Sequence, residues 1–214
     1  MRVSQSGSVF TLAWEDTNVD GLSFGGDFND LIINVELGNI PGVNQLVAID
    51  QGEDQRELLD LTQLPGQQVT ADFTVNREAA LDNFVGFYRI DDEDGQIGSL
   101  NPGDAGYAAA ALGRRVLTDL DLRVADGATE SFSGTLDVGF LYAPFIIANG
   151  TPEQLLDQDT NNDPEIYFPF IAGNADGADH VRLLGDNVFG FEDLPGGGDN
   201  DFNDIVVQIN FTLV

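Results

Sequence analysis

The side chains with the most chemical capacity fall in two matching blocks. Toward the C-terminus, Phe191-Glu192-Asp193 is followed by Gly196-Gly197-Gly198-Asp199-Asn200 and then by Asp201-Phe202-Asn203-Asp204-Ile205-Val206-Val207. Toward the N-terminus, Trp14-Glu15-Asp16 is followed by a Gly/Asp loop that contains Asp20, and then by Asp27-Phe28-Asn29-Asp30-Leu31-Ile32-Ile33. The order is the same both times: aromatic, Glu, Asp, glycine-rich loop, Asp-Phe-Asn-Asp, apolar strand. Calcium takes roughly six to eight oxygens at about 2.3–2.6 Å, from carboxylates, amide oxygens, backbone carbonyls and water. The candidate ligands are therefore Glu192, Asp193, Asp199, Asp201, Asn203 and Asp204 in one block, and Glu15, Asp16, Asp27, Asn29 and Asp30 in the other. A strand–loop–strand unit brings both ends of each block to one end of a sheet. Glycines 196 to 198 allow a tight turn that exposes carbonyls, and Phe202 can point into a core and anchor the loop. Carboxylates gathered in this way repel one another unless a cation lies between them. Magnesium suits the pattern less well, since it prefers few carboxylates and keeps its waters.

Two further acidic clusters are weaker candidates. Asp157, Asp159, Asn161 and Asp163 alternate like the first half of an EF-hand loop, but Asn162 stands where glycine is needed and Phe168 where the bidentate Glu belongs. A looser calcium loop and a solvated loop remain as readings. Asp91, Asp92 and Asp94 precede Gly95 after a strand-like run, a hairpin-turn signal first and a cation site second. The single nonapeptide-like Gly196–Asp201 stretch does not make a β-roll, which needs repeats. His180 reads as a satisfied structural histidine bonded to a nearby carboxylate or carbonyl, with a general base or a ligand-binding donor as its functional alternatives. Trp14, Tyr88, Tyr107 and Tyr142 read as core residues, or as sugar-stacking platforms where exposed.

Composition supports the same chemistry. The 214 residues carry 37 acids against 8 basic residues, a formal charge of −29. The acids are 27 Asp and 10 Glu, accompanied by 16 Asn, and every basic residue is arginine. Glu suits helices, whereas Asp and Asn suit turns and oxygen-ligand sites. Such a balance excludes a basic nucleic-acid footprint and a polybasic lipid patch. With no cysteine and one histidine, thiolate zinc sites, disulfides and two-imidazole sites are excluded. Disorder is excluded by 42% hydrophobic residues, 15 of them phenylalanine counted among that set. There is no run of about 18 apolar residues for membrane insertion, and no signal peptide is visible.

The elements that must position these residues read mostly as strands. Candidates are 8–14, 31–37, 45–49, 69–75, 84–90, 119–124, 130–136, 140–147, 166–172, 188–192 and 205–213, bounded by Gly, Asp, Asn and Pro. Ala71, Phe73 and Val75 alternate with Thr70, Asp72 and Thr74, the pattern of a half-buried strand. Residues 31–35 and 205–209 are more continuously apolar and read as central strands. Asp104 reads as the cap of a helix through 107–112, with Arg114 and Arg115 in its last turn. Thr151-Pro152-Glu153 opens a second short helix. The expected fold is all-β: an antiparallel β-sandwich or jelly roll with one or two short helices. It spans one domain, 1–214, in which 1–42 is the N-terminal copy and 45–214 the rest.

Several of these residues together resemble a known family. Glu192-Asp193, Gly197-Gly198-Asp199 and Asp201-Phe202-Asn203-Asp204 are similar to the signature of domain-of-unknown-function family 4114 (DUF4114). So are Arg77-Glu78-Ala79 with Asn83, Gly86-Phe87-Tyr88 with Gly95, Gly106-Tyr107-Ala108, Ala143-Pro144-Phe145, and Asp179-His180-Val181-Arg182 leading to Phe189. The resemblance spans roughly 59–214. It implies an extracellular, calcium-rich setting, since the family occurs in large secreted or surface proteins beside calcium-binding repeats and adhesin modules.

The expected function is a calcium-binding extracellular module with a structural or adhesive role. Its expected partners are calcium ions and a polysaccharide or other cell-surface polymer, without nucleic acid or membrane insertion. The alternative is calcium-dependent, lectin-like carbohydrate binding. A third reading, a carboxylate-based hydrolase of the glycosidase type, needs paired acids in an environment that raises one of them. No such apolar setting and no nucleophile-elbow motif is visible, so the chain is not expected to be an enzyme.

Overall fold

The structure is a computed structural model that describes residues 56–157 and 159–213 with their side chains, and residues 2–6, 9–14 and 31–36 as backbone strands. The chain divides into two compact units, Met1–Gln45 and Leu46–Val214. In the first unit, β1 (Arg2–Ser6), β2 (Val9–Trp14) and β3 (Leu31–Glu36) form an antiparallel sheet in that order. Among the described residues β3 is therefore an edge strand, not the central strand expected from its apolar run. That run shows only that side chains on both faces are apolar; it does not show how many strands flank it.

Among the described residues the second unit holds ten strands in two sheets: β4 (Leu59–Asp60), β5 (Gln68–Arg77), β6 (Phe84–Ile90), β7 (Arg115–Val116), β8 (Thr129–Asp137), β9 (Leu141–Ile147), β10 (Ile166–Tyr167), β11 (Val181–Gly185), β12 (Val188–Phe191) and β13 (Ile205–Leu213). One sheet runs β11-β12-β13-β5-β8; the other runs β10-β9-β6-β7, with β4 also paired to β9. Every pairing is antiparallel, so the all-β sandwich expectation holds.

The alternation in β5 has the predicted cause. Val69, Ala71, Phe73 and Val75 are buried in the core between the sheets, while the intervening residues face outward. Phe73 and Phe87 meet across the sheets with ring centroids 5.9 Å apart, and Phe87 meets Phe189 edge-on at 6.0 Å. Burying each such ring stabilises the fold by roughly 1.5–3 kcal/mol. Strand β6 shows no alternation because both of its faces are covered: Val85 and Phe87 belong to the inter-sheet core, Tyr88 and Ile90 to a second core. That second core lies under α1 (Tyr107–Gly113) and contains the Tyr88–Tyr107 hydroxyl pair, 3.0 Å apart.

Four local expectations are corrected. Residues 119–124 form no strand; Leu122 and Val124 are buried from an irregular segment whose Val124 carbonyl accepts from Arg77 Nη1 at 2.7 Å. Residues 166–172 keep only two strand residues before a 3₁₀ turn, α-like in hand, at Ile171–Gly173. Asp104 does not cap α1, because its carboxylate accepts the Asn101 N–H at 2.8 Å and left-handed Gly106 takes the cap position. Arg114 is the C-cap residue, beyond the last helical turn. The second helix, α2 (Pro152–Leu156), starts as expected, with the Thr151 N–H donating to Gln154 Oε1 at 2.9 Å. The expected strand at 45–49 lies outside the described residues. No helix among the described residues is long and apolar enough to cross a membrane.

Candidate functional site

Strands β12 and β13 are hydrogen-bonded neighbours, with Phe191 opposite Ile205. The segment joining them therefore leaves and re-enters the sheet at one point. Its sequence cannot follow an ordinary turn: Gly196, Gly197, Gly198, Asn200 and Phe202 all have positive φ, from 50° to 80°. For Phe202, at φ 58°, this is a costly conformation of order 1–3 kcal/mol that surrounding contacts must hold. They do so here. The Phe202 ring is buried beneath the Arg182 guanidinium, whose carbon lies 3.8 Å from the ring centroid. The Phe202 N–H donates to Glu192 Oε1 at 2.7 Å. The Gly196 N–H donates to Asp176 Oδ2 at 2.7 Å.

This winding turns three acids toward one another. Carboxylate oxygens of Glu192, Asp199 and Asp201 all lie within 4.8 Å of each other, the one such His/Cys/Asp/Glu group among the described residues. Two oxygens bound to a single calcium at about 2.4 Å can be at most about 4.8 Å apart, so one ion could reach all three carboxylates. Glu192 is 1% exposed, whereas Asp199 and Asp201 face solvent. Burial first, then the charges of Asp199 and Asp201, push the Glu192 carboxyl up from its ordinary value. Gly198 suits its position, because φ +50° strains any other residue there and a Cβ would displace Glu192 Oε2.

The other residues of the C-terminal block support this group from outside it. Asn203 holds Asp201, its N–H donating to Oδ1 at 3.2 Å and its Nδ2 to Oδ2 at 2.8 Å. Asp204 Oδ2 accepts the Asp193 N–H at 2.8 Å. Asp193, only 3% exposed, accepts from Asn83 Nδ2 at 2.6 Å. Burial, together with the charges of Asp193 and Glu192, pushes the Asp204 carboxyl up to about 6. The sequence motifs did not reveal two of the residues that shape the loop. Asp176 accepts from Gly196 and from the Ala178 N–H at 3.0 Å, and lies 2.9 Å from His180 Nε2. Despite partial burial, these contacts lower Asp176 to about 2. The available signal was its Asp-Gly turn four residues before the single histidine. Asn83 stands out in the sequence only through the family resemblance.

His180 is fully buried and stacked on Tyr167, with centroids 3.5 Å apart. Its Nδ1–H donates to the Glu192 carbonyl at 3.0 Å, so both ring nitrogens are engaged within the protein. That leaves a donor set of hard oxygens, suited to calcium and not to zinc.

The weaker clusters are arranged differently. Asp157, Asp159, Asn161 and Asp163 are all exposed. Asp157 accepts the Asp159 N–H at 2.7 Å and Asn162 Nδ2 at 3.1 Å, and Asp159 accepts Asn161 Nδ2 at 2.7 Å. Asp92 Oδ1 accepts the N–H groups of Asp94 and Gln96, while Asp91 accepts Arg114 Nη1 at 2.6 Å and the Gly98 N–H at 2.7 Å. These carboxylates are occupied in shaping their own turns. Glu15, Asp16, Asp27, Asn29 and Asp30 lie outside the described residues. All four tyrosines are buried, at most 2% exposed, so none of them offers a face to a sugar ring. One perturbed acid lies outside every expected set: burial, aided by the charge of Asp179, pushes Glu57 up to about 7 beside a cavity of about 440 Å³.

The family resemblance is matched independently. The model of a family described as "Domain of unknown function (DUF4114)" matches residues 136–212, the segment that contains β9 to β13 and the acidic loop. This is narrower than the stretch of roughly 59–214 read from the motifs, and leaves Arg77, Asn83 and the Gly86-Phe87-Tyr88 run outside the match. No curated protein and no solved structure matches the chain.

Proposed function

We propose that the β-sandwich unit is a calcium-binding module of a secreted or cell-surface protein, in which the ion staples the β12–β13 loop. The observation that carries this reading is the convergence of Glu192, Asp199 and Asp201 within 4.8 Å in a loop held at five positive φ values. Glu192 Oε2, Asp199 and Asp201 would supply carboxylate oxygens, with the remaining positions filled by loop carbonyls and water. An ion there would offset the repulsion that raises Glu192 and would bind only the wound conformation. Extracellular sites commonly bind with dissociation constants of about 10⁻⁴–10⁻³ M. At a hundred times that constant, one ion stabilises the fold by roughly 2.7 kcal/mol. The proposed role is structural or adhesive; the buried Tyr88, Tyr107 and Tyr142 offer no ring face to a sugar.

The test is a thermal melt of chelator-treated protein titrated with calcium and, separately, with magnesium. A calcium-specific rise in melting temperature that disappears in Asp199→Ala/Asp201→Ala is expected. An equal rise with magnesium or with plain salt would reduce the cluster to a screened acidic surface.

A further inference from the structure

Arginine is scarce in this chain, with eight residues against 37 acids. Six of the described arginines, Arg56, Arg77, Arg114, Arg115, Arg123 and Arg182, lie within 4.0 Å of a carboxylate. Arg89 makes no ion pair among the described residues. Its nearest acids, Asp91 and Asp137, line the same cavity without pairing with it.

The fold holds that guanidinium open. Arg89 lies near the end of β6, and its guanidinium carbon sits 3.2 Å from the centroid of the Phe140 ring, so the planar fork is stacked and oriented. Its N–H donates to the Arg114 carbonyl at 3.2 Å, which places the two arginines side by side. Arg114 is fixed by Asp91 at 2.6 Å. Arg89, Arg114, Asp91, Asp137, Val116 and Tyr142 line one cavity of about 430 Å³. Tyr142 donates its hydroxyl proton to the Asp137 carbonyl at 2.7 Å, which leaves the lone pairs of its oxygen to accept. The cavity lies at the opposite end of the sandwich from the acidic loop: Gln68 pairs with Asp137 at one end of β5, and Arg77 pairs with Ile205 at the other. Nine residues of strand separate them, about 30 Å at roughly 3.3 Å per residue.

The lining defines the ligand. A stacked arginine fork matches a planar carboxylate in two parallel hydrogen bonds. Asp91, Asp137 and the Tyr142 oxygen accept hydrogen bonds, so the remainder of the ligand must donate them, as hydroxyl groups do. The strongly acidic chain disfavours a multiply charged anion. The volume is that of an ordinary small-molecule pocket. We propose that this cavity binds a hydroxylated monocarboxylate of the sugar-acid type, its carboxylate on Arg89 and its hydroxyls on Asp137 and Tyr142.

The test is calorimetric titration of the whole protein, in chelator and at fixed ionic strength, with D-galacturonate, its methyl ester, D-galactose and inorganic phosphate. Galacturonate is expected to bind at least tenfold more tightly than the other three, and Arg89→Gln is expected to weaken it at least tenfold without shifting the melting temperature. Binding of galacturonate no tighter than of its ester or of phosphate would overturn the proposal, and this arm needs no variant. Undiminished binding in a folded Arg89→Gln protein would overturn it as well.

Discussion

The loops at 157–163 and 192–204 are both rich in Asp and Asn, and Asp159–Asn161 and Asp201–Asn203 make the same local turn, yet only the second loop also gathers carboxylates from separate positions. In the first, Asp157 and Asp159 accept from N–H groups and amides two to five residues away, and the Asn162 amide holds the Asp157 carboxyl below its ordinary range. In the second, the backbone is wound through five positive φ values, and the carboxyls of Glu192 and Asp204 are pushed upward by burial and by neighbouring charge. The difference lies in backbone geometry rather than in acid count. Alternating Asp and Asn build Asx turns that satisfy the carboxylates locally. Consecutive glycines followed by left-handed Asn200 and Phe202 aim carboxylates at one another, which stores repulsion that a bound cation would relieve.

The largest expected effect separates the two loops directly. Asp199→Ala/Asp201→Ala should abolish the calcium-dependent rise in melting temperature, about 5–10 °C if one ion contributes roughly 2.7 kcal/mol. Asp157→Ala/Asp159→Ala should leave that rise intact, and the reverse result would transfer the site to the other loop. Next comes the winding itself. Gly198→Ala places a Cβ on Glu192 Oε2 at a left-handed position, so it should cost more than about 1 kcal/mol in urea unfolding and weaken calcium binding at least tenfold. A variant as stable and as responsive as the parent would show that the loop tolerates another conformation.

A third effect concerns the pin behind the loop. Asp176→Ala removes the acceptor of the Gly196 N–H and the partner of His180 Nε2. A loss of about 1–3 kcal/mol at pH 7 is expected. Because the folded Asp176 is lowered to about 2, its contribution is present above its unfolded value of about 4 and lost as pH falls from about 4 to 2. The variant should therefore lose part of the acid limb of the stability curve. The smallest effect belongs to Glu57, whose charged neighbours are Asp179 and Arg182. Glu57 is raised to about 7, so its contribution is complete below about 4.5 and is lost as pH rises toward 7. Glu57→Gln should flatten the stability curve between pH 5 and 7, and an unchanged slope would assign that dependence elsewhere.

What could be read from the sequence follows the range of the interactions concerned. The strand alternation of Ala71, Phe73 and Val75 is a local pattern, and the structure reproduces it residue by residue. The acidic block was legible for the same reason, since Glu192 and Asp204 are close in the chain. The two-residue strands β4 and β7 are too short to carry a period. Leu122 and Val124 looked like a strand because a core also accepts side chains from irregular backbone, provided its carbonyls find donors such as Arg77. The supports of the loop were hidden by distance along the chain: Asp176 reaches Gly196 across 20 residues, and Asn83 reaches Asp193 across 110. No spacing rule links such pairs before the sheets are assembled.

The most direct test of calcium binding at the wound loop is a stoichiometric one. Chelator-treated protein and its Asp199→Asn/Asp201→Asn variant would be titrated with calcium by calorimetry under identical conditions, so that any site elsewhere in the chain contributes equally to both. The expected result is the loss of one molar equivalent of calcium in the variant. The same number of ions bound with the same affinity by both proteins would contradict the assignment.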